Sequence, residues 1–526
     1  MEKKTGLKKI MNMNTVAIIT AILFFVSLWP MIYVGMFNFA TGDDYWFGVH
    51  TYRGWVEGGL LAALKGSLQT VAEFYESWQG TWFTIFLFTL SPNHFVENGY
   101  VITVFISLGL LLVSYSYLAD FYLVKKLGFR RSTTAIIVCL ISYLSLQYIP
   151  RTTSGIYWFN GIMHYSVPFF LAVLAIVHSH KFMADKKKKD YIILFIAFTL
   201  LGGGSYLAPM AATLAVLLIL CYQIEVKEFD LKSRRIKLGY DLRNLWILPA
   251  LIAEMIGLLI SFLAPGNSVR GGEEFGFSLK WALECIYYAI DRGIYLGEDY
   301  FLLNGVTTSI YLLLGVLLWY EIWKLDHERL KFPLPFFFVL YLNGIYWAIY
   351  TPEIYSRSDV SGGVPNTYFH VFLLITLGNM IYVHGWLQKT LKHYWKRKAE
   401  KQKVTYREIE NKSFLSGDKF ARYLLVPLAG IFIAAAVFIT YNDDMPTTND
   451  YCRSYIQSGK LESYQAIRQE QHRILSDESI VDVIVPETTV WYPLLHMNLT
   501  GDVNDSRNID RAKYYNKNSV KAEMVD

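Results

Sequence analysis

The sequence predicts an α-helical protein that crosses a membrane many times, and three observations carry that prediction. The chain repeatedly offers near-charge-free apolar runs, and spanning a hydrocarbon core takes roughly 20 such residues at 1.5 Å rise each. Of its 526 residues 53% are apolar and only 18% charged, with a mean hydropathy of +0.28. A soluble chain of this length interrupts its apolar stretches with polar faces. Finally, lysine and arginine gather in a few connecting segments, the pattern that fixes membrane orientation.

Lys3, Lys4, Lys8 and Lys9 precede the first run, TVAIITAILFFVSLWPMIYVGM. It is too long for a signal-peptide core and lacks a small-residue cleavage pattern, so it reads as an uncleaved first helix. Spans are expected at about 14–37, 99–123, 133–150, 163–183, 190–203, 205–223, 244–264, 300–321, 334–351, 368–388 and 422–441, about eleven in all. With that number, the basic segments around Lys125–Arg131, Lys186–Lys189, Arg234–Lys237, Lys324–Lys331 and Lys396–Lys403 all fall on the same side as the N-terminus. The expected orientation has the N-terminus in the cytoplasm and the C-terminus outside, in a bacterial plasma membrane.

GGGS at 202–205 leaves little room for the turn between the fifth and sixth spans. TWFTIFLFTL at 81–90 is too short to cross and would invert every later basic loop. It is read as an interfacial or re-entrant helix within the first outer loop, 38–98, with Trp78 and Trp82 as interface anchors. Residues 1–441 form the membrane domain. Residues 442–526 read as a small extracytoplasmic α/β appendage, serving as a lid or acceptor-side surface. LESYQAIRQEQHRIL is its amphipathic helix, VDVIVP its buried strand, and DSRNIDRAKYYNKNSV a polar helix or extended end. Four cysteines without CxxC spacing indicate neither a disulfide framework nor a zinc site.

The chemistry-bearing residues cluster in the expected outer loops. Asp43 and Asp44 follow the first span in FATGDDYWFG; a carboxylate beside an attacking hydroxyl acts as a general base. Adjacency raises one carboxyl through like-charge repulsion. A solvated acidic helix terminus is the alternative. Arg151, Arg270 and Arg357 lie beside membrane segments on the side expected to be poor in positive charge, each among turn residues. In APGNSVRGG, Asn267 and backbone N–H groups beside a guanidinium suit a phosphate, while headgroup contact is the alternative. Two aromatic–polar clusters, YESWQGTW and GIYWFNGIMHY, suit a sugar or a membrane-interface belt. They supply Glu76, Trp78, Tyr157, Trp158, Asn160 and His164, with Glu73 on the same helix face as Glu76. His164 reads equally as a structural histidine. Glu254 within LIAEMIGLLI is costly in a span and is left outside the site.

Together GDDYWFG at 42–48, the Tyr/Trp/Gly cluster at 75–80, YWFNGIMHY at 157–165, APGNSVR at 264–270 and the segment before the tenth span resemble the GT-C class of integral membrane glycosyltransferases. The resemblance is to bacterial members that decorate surface polysaccharides from polyprenyl-phosphate sugars. It implies a catalytic base in the first outer loop, Asp43 or Asp44, and lipid-phosphate binding by Arg270 with Arg357 or Arg151. It implies inverting transfer of one sugar to a cell-surface or cell-wall glycan. Two positions depart from the pattern: Thr81, not Arg, follows Gly80, and Tyr206, not an acid, follows GGGS. Either departure fits a different donor sugar or a relocated phosphate contact.

The expected partners are a polyprenyl-phosphate-linked sugar, a surface glycan and the bilayer, with no nucleic acid. The sequence requires no cofactor, and a divalent metal remains open as an aid to the phosphate. Competing readings are a ligase or polymerase using a lipid-pyrophosphate-linked oligosaccharide, a transporter or flippase, and a non-enzymatic scaffold.

Overall fold

The computed structural model describes residues 13–525, apart from 231–234, 272–277, 326–329, 357–361, 489–492, 495–496 and most of 414–445. The apolar runs become helices because a chain in hydrocarbon must satisfy its backbone polar groups within itself. Among the described residues six helices are long and apolar enough to cross a membrane: Met13–Gly35, Gly99–Leu127, Phe159–Asp185, Leu242–Phe262, Gly305–Trp323 and Val364–Gln402. The other expected spans coincide with shorter helices, Arg131–Gln147, Lys188–Leu201, Leu207–Tyr222 and Pro335–Ala348. The run 422–441 lies almost wholly outside the described residues. Apolar side chains also face outward: Leu23 and Val26 are 64% exposed and Ile256 54%. Such a surface is stable only when lipid or protein covers it.

The basic connections gather at one end of the bundle. Arg130 forks the buried carboxylate of Glu321, with Nη2 to Oε2 at 2.6 Å, and Thr133 and the Arg130 N–H complete its hydrogen bonds. Nearby, Lys186 bonds Asn244 at 2.5 Å and Lys392 caps the Trp323 carbonyl at 2.7 Å. In the connection 223–241, strands Glu225–Asp230 and Arg235–Gly239 pair antiparallel, a hairpin the sequence reading did not assign.

The opposite end carries the long loop after the first helix, and this loop is itself helical. Asp43–Ser77 folds back at Gly59, whose φ of 69° and ψ of −156° break the helix into two legs. Glycine adopts such an angle without a Cβ penalty. The legs touch closely: a Cβ on Gly66 would lie 2.2 Å from the His50 carbonyl oxygen, and Thr51 Oγ1 meets Ser67 Oγ at 2.9 Å. The short segment expected to be interfacial is a seven-residue helix, Trp82–Phe88. It is pinned by the Phe83 N–H donating to the Gly203 carbonyl at 2.9 Å.

The appendage is α/β, as its patterning predicts. Helices Thr448–Ser458 and Lys460–Ser476 lead into strand Asp482–Glu487, which pairs in parallel with Ser519–Met524. Helix Ser506–Tyr515 makes the crossover, so the polar tail resolves into a helix and then a strand. Val483, Val485, Ala512 and Val520 form its core. Arg468 and Glu487, both buried, pair at 2.9 Å. The unit is tied to the bundle: Asn449 Nδ2 donates to the Ser27 carbonyl at 2.9 Å and Thr448 Oγ1 to that of Leu146 at 2.8 Å.

Candidate active site

Gly42, at φ 49°, turns the chain so that Asp43 and Asp44 open the first leg of the hairpin. A helix N-terminus favours negative charge, yet the two carboxylates have different surroundings. Asp44 is fully buried. Its Oδ2 accepts from the Tyr100 hydroxyl at 2.6 Å and the Thr41 N–H at 3.0 Å, while its Oδ1 has no partner. Tyr100 in turn accepts the Phe159 N–H at 2.9 Å, so Asp44 is tied to the YWFNG segment. Burial pushes its carboxyl up to about 7, against the pull of those two hydrogen bonds. Asp43 is half-buried and accepts no hydrogen bond from the described residues. Burial, then the Asp510 carboxylate, raise it to about 6, while the Arg270 guanidinium pulls it down.

Arg270 is the hub of the neighbouring loops. It lies at the end of the short helix Pro265–Gly271, stacks over the Trp78 ring at 4.9 Å and donates from Nη1 to Gln79 Oε1 at 2.7 Å. Asn267 supports this join: its Nδ2 donates to the Ser261 carbonyl at 2.7 Å, and its Oδ1 receives the Gly80 N–H at 3.3 Å. A planar guanidinium with donors to spare is suited to a phosphate. The close approach needs glycine, since a Cβ on Gly266 would lie 2.4 Å from the Trp78 nitrogen.

The YWFNGIMHY segment reaches the same end as two wide helical turns, Thr153–Tyr157 and Ile162–Ser166, a distortion frequent at functional sites. Asn160 is buried, and neither atom of its amide has a partner. A buried, unsatisfied amide costs several kcal/mol unless water or a ligand meets it. His164 Nδ1 meets Thr84 Oγ1 at 2.9 Å, and its ring lies within electrostatic reach of Arg270. Trp158 is half-buried. Tyr157 is fully buried, its hydroxyl against the Met31 carbonyl and Cys452, which makes it a packing residue.

Other expected site residues are not brought to Asp43. Glu73 and Glu76 are exposed, and Glu73 is engaged by His50 at 2.8 Å and Gln69 at 2.9 Å. Arg151 is exposed, with its backbone clamped by Asn366. Arg357 lies outside the described residues. Glu254 is buried in its helix and accepts from Thr213, apart from these groups.

Sequence reasoning missed several groups. Glu353, in the short helix Thr351–Ser356, has a buried Oε2 without a partner. Burial raises its carboxyl to about 7, against Arg270 and Arg292. Arg292 comes from the amphipathic helix Leu279–Phe301, whose periodicity is legible in sequence. Asp510 and Arg511 come from the appendage, and no local signal marked them. Among the described residues no group of three His, Cys, Asp or Glu side chains is placed to hold a metal ion. A concavity of about 820 Å³ runs along Ile18, Phe25 and Trp29 of the first helix, and Asp43 does not line it.

No family model, no curated protein and no solved structure matches this chain.

Proposed function

We propose that the protein is an integral membrane glycosyltransferase of the GT-C type. It transfers one sugar from a polyprenyl-phosphate monosaccharide to a surface glycan on the extracytoplasmic side. The observation that carries this reading is Asp43: a half-buried carboxylate, free of hydrogen bonds from the described residues, within electrostatic reach of the Arg270 guanidinium at one end of a helical bundle. The acceptor hydroxyl oxygen attacks the anomeric carbon while the bond from that carbon to the phosphate oxygen breaks. The bonding pair leaves with the phosphate, and the hydroxyl proton passes to Asp43. Direct displacement inverts the anomeric centre.

Arg270, exposed but held by Gln79 and Trp78, balances the charge gathering on the departing phosphate. The departure at Thr81 fits this assignment, because Arg270 reaches from another loop to the side of Gln79. Asn160, Trp78 and His164 are the sugar-facing groups. A cavity of about 270 Å³ floored by Gly293 and Gly297 and walled by Tyr346, Trp347 and Phe372 offers apolar cover for the polyprenyl chain. Asp44, held by Tyr100 and Thr41, supports the loop; Asp43 is the base.

The test is acceptor-dependent release of polyprenyl phosphate from a panel of polyprenyl-phosphate monosaccharides, with crude surface glycan as acceptor. Release by the wild type and its loss in a folded Asp43→Asn variant are expected; no release from any donor refutes the reading. A second reading, a ligase using a lipid-pyrophosphate oligosaccharide, draws on Arg292 as a second cation acting on Glu353. Pyrophosphate donors in the same panel separate the two.

A further inference from the structure

The carboxy-terminal helix Ser506–Tyr515 lies along the first leg of the hairpin and runs in the same direction. Tyr514 stacks on Tyr52 with centroids 4.3 Å apart and planes 13° apart, and meets Tyr45 edge-on at 4.9 Å. Its hydroxyl bonds His94 Nδ1 at 3.0 Å. One turn earlier, Arg511 is buried with its guanidinium 3.5 Å above the Tyr45 ring. Arg53 closes the far end through the Lys513 carbonyl at 2.5 Å. These contacts fix both the rotation and the register of the helix. Residues four apart share a helix face, so Asp510 lies on the Tyr514 face. The contacts step back together on the two helices, Tyr514 with Tyr52 and Arg511 with Tyr45, so the start of the carboxy-terminal helix lies toward Asp43. Asp510 is half-buried and, among the described residues, has neither hydrogen bond nor ion pair.

We propose that Asp510 is a positioning residue for Asp43: the docked carboxy-terminal helix holds a second carboxylate facing the base and sets the pH at which that base ionises. The charged groups acting on Asp43 are its neighbour Asp44, Arg270 from the Pro265–Gly271 helix, and Asp510 from the carboxy-terminal helix, while Lys513 of that helix acts on Asp510. Arg511 acts on Asp44 from the same helix. The appendage thus places a negative group beside Asp43 and a positive one beside Asp44. Two facing carboxylates titrate as a pair, and the first proton is held more tightly than either group alone would hold it. The Asp510 carboxylate thus adds to burial in holding the Asp43 proton, against the pull of Arg270. The role as base rests on the proposed function; the coupling of the two carboxylates does not.

The test reads Asp43 without turnover. A protonated carboxyl gives its proton to a nitrogen of an apolar carbodiimide, its oxygen adds to the central carbon, and the adduct rearranges to a stable N-acylurea. Labelling of Asp43, located by peptide mass spectrometry across a pH series, therefore reports its ionisation in the full-length protein in lipid nanodiscs. Asp510→Asn is expected to lower the half-labelling pH of Asp43 by about one unit, and Asp510→Glu to restore it. Asp510→Ser, the second neutral variant, is expected to match Asp510→Asn and stands in if that variant does not fold. A half-labelling pH unchanged in a folded neutral variant overturns the proposal, even if the wild type is an active transferase. A shifted midpoint in a protein that transfers no sugar supports the coupling and removes the transferase reading alone.

Discussion

Exchanging the two adjacent aspartates one at a time separates chemistry from support. Asp43→Asn removes a carboxylate that accepts no hydrogen bond from the described residues and is half-buried, so folding stability is not expected to fall. Removing a general base costs about 10²–10⁴ in rate, or about 3–5 kcal/mol of barrier. Asp44→Ala takes an acceptor from the Tyr100 hydroxyl and the Thr41 N–H. Leaving two buried donors unpaired costs about 1–3 kcal/mol each. Relief from burying the carboxylate offsets part of that, and the net loss is about 2 kcal/mol. Asp44→Ala should therefore unfold at lower temperature and keep a measurable rate, while Asp43→Asn melts no lower than the wild type and is inactive. The assay is polyprenyl phosphate release beside thermal unfolding followed by tryptophan fluorescence. An Asp43→Asn variant retaining more than about a tenth of the wild-type rate, or an inactive Asp44→Asn variant of unchanged stability, would refute the assignment.

Replacing Arg270 by Lys keeps the charge but not the planar fork that reaches Gln79 and covers Trp78. Donor kcat/KM is expected to fall by about 10²–10³, measured on the same release assay; an unchanged value excludes Arg270 from the donor site. The release rate should rise with pH through about 6, because Asp43 must be ionised and both burial and Asp510 raise its carboxyl. A rate flat from pH 5 to 8, by about three points per unit, counts against Asp43 as base. The same shift has a stability sign. Folded Asp43 binds its proton more tightly than unfolded, so its contribution is lost as pH rises through about 6, and Asp43→Asn should gain stability relative to wild type across that range. Glu487→Ala strands buried Arg468 and should destabilise the appendage by about 3–5 kcal/mol, seen as faster proteolysis between 460 and 525. Gly66→Val drives side-chain atoms at the His50 carbonyl, and its cost, about 1–3 kcal/mol or more, should appear as a lowered unfolding temperature.

Much of this protein is legible locally. Long apolar runs such as Thr15–Phe25 and Ile102–Val113 specify helices without reference to the rest of the chain, because each must bond its own backbone. The short apolar run VDVIVP marked the strand Asp482–Glu487, and GDDYWFG stood out as two acids at the end of an apolar run. The sharp fold at Gly59 was less legible, since GG within a helical pattern signals a break but not that the legs will pack back to back.

What only the tertiary structure decided is how the two aspartates differ and what surrounds them. Asp44 is claimed by Tyr100, 56 residues away, so the neighbour it leaves free is Asp43. Arg270 is separated from Gln79 by 191 residues, yet the two share a hydrogen bond, whereas the side chain of Arg151, as good a candidate in sequence and likewise exposed, makes none among the described residues. Asp510 and Arg511 reach Asp43 and Tyr45 from the far end of the chain. Hydropathy and periodicity are properties of neighbours in sequence and fix helices one at a time. The field at a carboxylate depends on whatever charges and donors packing brings within a few ångströms, and only the assembled fold sets that.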